Sequence, residues 1–124
     1  MKAHYTGPLD VRKISAMVWA LLADLTLVRA NGEEVTALRG FWTDYASTPQ
    51  ILWSFGLPAS GEYDAAAVTH DWLYLEHQIG QRAIERSEAD GIFFEALRAV
   101  GVGPVKAWLM WAAVRSCGWT KWGA

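Results

Sequence analysis

The stretch YDAAAVTHDWLY, residues 63–74, reads as a helix that is apolar on nearly every side, yet it carries His70 and Asp71 next to each other. A helix of that kind has to be covered on more than one face. The covering must also supply hydrogen bonds to any ionisable group it encloses, because a buried polar group without a partner is costly. These two demands constrain the fold more than any other feature of the chain. The 124 residues are enough for one core, and 52% of them are hydrophobic, which excludes a disordered chain. Cys117 is the single cysteine, so an intrachain disulfide and a thiolate metal cluster are both excluded. A formal charge of −2 without a basic stripe argues against a dedicated nucleic-acid binder.

No repeat, linker or low-complexity tract divides the chain, so residues 1–124 read as one α+β domain. Residues 8–42 are expected to be β-rich, forming an N-terminal hairpin or a small antiparallel sheet. Asn31-Gly32 lies between two apolar arms as a hairpin turn signal. Val35, Ala37 and Phe41 fall on one face of the second arm, and the first arm could reach back to Trp19. The segment ISAMVWALLADL also fits a helix. Pro49, Gly56, Pro58 and Gly61 make residues 43–62 an irregular loop. Three helices follow, at residues 64–78 with Gly80 as the stop, 88–100 between Ser87 and Gly101, and 104–117 from Pro104. The last is expected to face inward through Val105, Trp108, Leu109 and Ala112.

Helical spacing puts Ala66, His70, Leu73, Tyr74 and His77 on one face and turns Asp71 about 100° away. Asp90 lies at the edge of the next helix's apolar stripe. Two helices joined by a short connection pack antiparallel, which would bring Asp90 to His70 and Tyr74. An aspartate against one imidazole nitrogen fixes the tautomer and leaves the other nitrogen to act as a base, with the Tyr74 hydroxyl donating to the same carboxylate. The competing reading makes His70 a core histidine satisfied by a backbone carbonyl and Asp90 a first-turn carboxylate favoured by the helix dipole. In the loop GFWTDYASTP, the residues Thr43, Asp44 and Ser47 offer oxygens, so Asp44 and Asp71 are candidate ligands for a hard cation such as calcium. Alternatively, the three loop side chains satisfy their own turn.

GFWTDYASTPQILW, AAAVTHDWLY, EADGIFFEALRAVGV and WAAVRSCG resemble, in that order, a domain-of-unknown-function family of bacteriophages and prophages. The resemblance implies a phage or prophage origin and no established activity; the expected setting is the host cytoplasm or the phage particle, and the expected partner a phage structural protein or a lipid surface. MKAHYTGPLDVRKIS has no signal-peptide core, and Asp24 interrupts an apolar stretch too short to span a bilayer. The H-D-x-x-Y run followed by a second-helix aspartate and phenylalanine is also similar to secretory-type sn-2 phospholipases, including those of parvovirus capsids. That similarity implies His70 as general base, Asp71 as calcium ligand, Asp90 as the group orienting His70, and Tyr74 as hydrogen-bond donor to Asp90. It makes the chain a candidate calcium-assisted hydrolase of a lipid ester.

Three alternatives stand beside it. One is a serine hydrolase built on Ser47, His70 and Asp90 or Asp44, although DYASTP is not a nucleophile elbow. Another is a metal-dependent cell-wall hydrolase using His70 and two aspartates. The third is a non-enzymatic virion or assembly component that docks through the aromatics Trp42, Trp53, Trp119 and Trp122.

Overall fold

The computed structural model describes residues 2–15, 18–43, 63–117 and 122. In chain order the elements are β1 (His4–Tyr5), β2 (Val11–Ser15), β3 (Val18–Leu21), β4 (Leu25–Val28), β5 (Glu34–Ala37) and β6 (Trp42–Thr43). They continue with α1 (Asp64–Glu76), β7 (Gln78–Ile79), β8 (Arg82–Ala83), α2 (Arg86–Ala99) and α3 (Pro104–Cys117). Two three-stranded antiparallel sheets, ordered β1-β4-β5 and β2-β3-β6, precede the helices, and β7 pairs with β8. The fold is α+β, as the sequence predicts.

Asn31-Gly32 turns the β4–β5 hairpin through a wider loop than a two-residue turn. The Arg29 amide donates to the Glu33 carbonyl at 2.8 Å, Gly32 takes a φ of 89°, and Asn31 Oδ1 accepts from the Glu33 amide at 2.9 Å. Leu25, Leu27, Val35 and Ala37 alternate inward, and the Thr26 and Thr36 hydroxyls pair on the other face at 2.9 Å. Three expectations for this region need correction. The first arm does not reach back to Trp19, because β3 leaves β4 at residues 22–24 to pair with β2 and β6 in the second sheet. The described residues of ISAMVWALLADL are not helical either, since Ile14 and Ser15 end β2 and Val18–Leu21 forms β3. Thr43, expected in the loop, ends β6 as a buried residue.

Helix α1 is apolar all round because it lies between layers. Its Ala67 and Val68 pack with Leu21, Leu25 and Ala37 of the sheets, while Ala66 and Leu73 join Ile92, Phe93 and Leu97 of α2. It stops two residues short of the expected end. His77 takes a left-handed conformation, φ 57°, as C-cap, and Gly80 instead turns the β7–β8 hairpin with φ 62°. The Ile84 amide donates to the His77 carbonyl, and the His70 ring lies 4.7 Å from Phe93. Helices α1 and α2 are therefore antiparallel. Glu85, not Ser87, occupies the α2 N-cap.

Helix α2 closes with Gly101 at φ 95°. The Val102 amide donates to the Leu97 carbonyl and Gly101 to Arg98, the bond pattern of a Schellman cap, with Val102 buried against Leu97. Gly101→Ala should lower stability by about 1–2 kcal/mol through backbone conformation alone, since a Cβ there meets nothing within 4 Å. A shift in urea midpoint measures the loss.

Helix α3 corrects the inward-face expectation. Ala107, Met110 and Val114 are buried, whereas Val105 is 74% and Trp108 55% exposed. The helix has apolar residues all round, so periodicity alone could not choose between two apolar faces. A partly exposed ion network of Arg29, Glu33, Arg82, Glu88 and Glu95 ties the β4–β5 turn to α2. Partial exposure keeps each of its pairs weak.

Candidate functional site

The α1–α2 packing places His70 and Asp90 together inside the protein, 2% and 0% exposed. His70 Nε2 donates to Asp90 Oδ1 at 2.7 Å, and the Tyr74 hydroxyl donates to the same oxygen at 2.6 Å. Asp90 Oδ2 accepts from Arg115 Nη1 of α3 at 2.9 Å, with Arg86 Nη1 at 3.4 Å. Arg86 sits one helical turn before Asp90, and its guanidinium also bonds the Val114 and Arg115 carbonyls at 3.2 Å. It thereby satisfies open acceptors in the last turn of α3. One carboxylate thus gathers donors from three helices.

A carboxylate only accepts, so the bond from His70 requires the proton on Nε2. In the neutral ring, Nδ1 then carries the basic lone pair. Burial alone would raise the Asp90 carboxyl, but the hydrogen bonds from His70, Tyr74 and Arg115 outweigh it and hold Asp90 below its ordinary value. Burial and the adjoining Asp90 charge push the Tyr74 phenol up, which keeps it a neutral donor. The His70 ring is held between Tyr74, at a centroid distance of 4.1 Å, and Phe93.

Asp71 points about 100° round α1 from His70 and accepts from the Thr43 hydroxyl at 2.7 Å. The structure therefore brings His70, Asp90 and Tyr74 into one cluster and places Asp71 with Thr43 in another. Asp44 and Ser47, and with them the Ser47 triad, lie outside the described residues. His77 faces neither cluster; its ring stacks on Trp122 at 3.8 Å. Trp122 also meets Tyr74 edge-on at 5.1 Å and packs on the core, which corrects its reading as an exposed anchor. Trp53 and Trp119 lie outside the described residues, and Trp42 is 63% exposed. Neighbouring Thr69 anchors α1 to β1, where Tyr5 meets it at 2.7 Å and donates to the Ala65 carbonyl.

Sequence reasoning missed Arg115 and Arg86. Their signal was the arginine one turn before Asp90 and the V-R-x-x-G ending, once a buried carboxylate is seen to need cationic partners. Among the described residues no group of three or more His, Cys, Asp or Glu could hold a metal ion, and no helix is long and apolar enough to cross a membrane.

Fold and site together define an α+β protein with a buried His–Asp pair on antiparallel helices. Residues 19–114 match the family described as "Protein of unknown function (DUF1353)", and the chain belongs to that family. The search of curated proteins finds no match, nor does the search of solved structures.

Proposed function

We propose that the protein is a hydrolase of lipid esters in which His70 is the general base and Asp90 its positioning residue. The observation that carries the reading is the 2.7 Å bond from His70 Nε2 to Asp90 Oδ1. With the ring proton on Nε2, Nδ1 is the nitrogen that would take a proton from water in the proposed reaction. The resulting hydroxide attacks the ester carbonyl carbon and forms a tetrahedral oxyanion. The proton on Nδ1 then passes to the departing alkoxide as the carbon–oxygen bond breaks, returning the neutral ring. The Asp90 anion stabilises the imidazolium in between, as in other His–Asp pairs. Tyr74 and Arg115 keep that carboxylate in place.

Calcium belongs to the same proposal. Asp71 supplies a carboxylate and Thr43 a hydroxyl of the hard-oxygen type the ion prefers. These two are too few alone, so further oxygens would come from backbone carbonyls, water or Asp44. A bound ion would polarise the ester carbonyl and stabilise the oxyanion. The motif resemblance extends the proposal to a phage or prophage source.

The test is release of fatty acid from phosphatidylcholine vesicles with calcium and with chelator. Wild type should hydrolyse them only with calcium. His70→Gln keeps a donor for Asp90 and should lose about 10²–10⁴-fold in rate while melting near the wild-type temperature. Absence of turnover, or a His70→Gln protein as active as wild type, would sink the reading.

The near-complete burial of His70 and Asp90 favours a second reading, a polar cluster that fixes the packing of three helices in a non-enzymatic assembly component. The exposed Trp42 and Trp108 would then serve docking. In that case His70→Gln alters stability and no esterase activity exists to lose.

A further inference from the structure

Strand β5 (Glu34–Ala37) is an outer strand of its sheet, with β4 as its one paired neighbour among the described residues. The Arg29–Glu33 bond closes the hairpin, and the register then pairs Leu27 with Val35 and Leu25 with Ala37. Alternation along an antiparallel ladder turns the amides and carbonyls of Glu34 and Thr36 away from β4. The other outer strands offer less: β1 and β6 have two residues each, and β2 is broken by a register shift between Lys13 and Ser15.

A groove of about 330 Å³ runs beside this edge. Glu34, Thr36 and Leu38 form one wall, and Trp72, Glu76 and Ile79 the other. Its lining combines the apolar Val35, Leu38, Trp72 and Ile79 with the acidic Glu34 and Glu76. Glu33, Glu88 and Glu95 are all paired with arginines, whereas Glu34 and Glu76 have no ion-pair partner among the described residues.

We propose that β5 and this groove dock an extended segment of a partner protein bearing lysine or arginine, which adds to the sheet as a strand. The outward backbone groups of Glu34 and Thr36 supply the ladder. Trp72, Ile79 and Leu38 take alternate apolar side chains, and Glu34 and Glu76 select the cation between them.

The probe is an acetylated, amidated peptide, Thr-Lys-Val-Lys-Val-Lys-Val-Thr, with a counterpart carrying glutamate for each lysine. Amide hydrogen exchange is followed by NMR on the full chain. The lysine peptide should slow exchange at Glu34 and Thr36 by about tenfold or more, and the glutamate peptide should not. Replacing both groove acids, Glu34→Gln with Glu76→Gln, should weaken the lysine peptide about tenfold at low salt, and Glu34→Lys with Glu76→Lys should reverse the preference. Both variants are surface changes whose folding is checked by their melting temperatures. Equal protection by both peptides, protection only elsewhere, or none at millimolar peptide overturns the proposal. So does protection that rises with protein concentration alone, because a second copy is then the occupant.

Discussion

Asp90→Ala should destabilise the protein by about 3–4 kcal/mol, read from the denaturant midpoint. Removing one partner of a buried ionic cluster costs about 3–5 kcal/mol, because the remaining groups stay buried without an acceptor. Here the stranded donors are His70 Nε2, the Tyr74 hydroxyl and Arg115, with Arg86 close by. The lower part of the range applies because the Arg86 and Arg115 side chains are 20% and 33% exposed and reach water. Acid should erase the difference. The folded Asp90 carboxyl lies below its unfolded value, so its contribution is full above about pH 4 and is lost as pH falls through the depressed folded value. Wild type and Asp90→Ala should therefore converge below that point. A neutral-pH difference under about 1 kcal/mol, the size of an ordinary single hydrogen bond, would show that the cluster does not hold the three helices.

If the proposed hydrolysis takes place, Asp90→Asn should leave its KM nearly unchanged and lower kcat by about 10⁴-fold, the size of effect seen when the acid of a Ser-His-Asp triad becomes an amide. The cause is proton placement. An asparagine has one accepting oxygen, and the arginine side of the cluster offers only donors, so that oxygen turns to Arg115. Its NH₂ then faces His70, Nε2 must accept, and the ring proton moves to Nδ1, the nitrogen meant to act as base. In the proposed reaction Asp90 acts through His70 and not on the substrate, which is why the loss belongs in kcat. Equal losses in Asp90→Asn and Asp90→Ala at matched stability would instead assign the residue to packing.

Much of this arrangement is readable from residue patterns. The apolar stripe from Ala89 to Leu97 and the histidine face of α1 both lie along regular helices, where a three- or four-residue step fixes direction. That is why the meeting of His70, Tyr74 and Asp90 was foreseeable. Arg115 was not, because a basic residue in the last turn of a helix is usually explained by the dipole there. Only the packing of α3 on α2 shows it turned towards Asp90. The inward face of α3 was misjudged for a related reason. Val105 and Trp108 follow the same spacing as Ala107, Met110 and Val114, and burial was decided by which face met α2. Likewise β3 and β4 read as one long arm, because the break at residues 22–24 contains neither glycine nor proline.

The proposed chemistry depends on Asp90 holding the imidazole proton of His70 on the nitrogen that faces it. Long-range ¹H–¹⁵N NMR of the His70 ring in its neutral form tests this directly. The predicted spectrum has Nε2 protonated and Nδ1 bare in wild type, with the proton transferred to Nδ1 in Asp90→Asn. A wild-type ring protonated at Nδ1 would contradict both the orientation of the pair and the chemistry proposed for it.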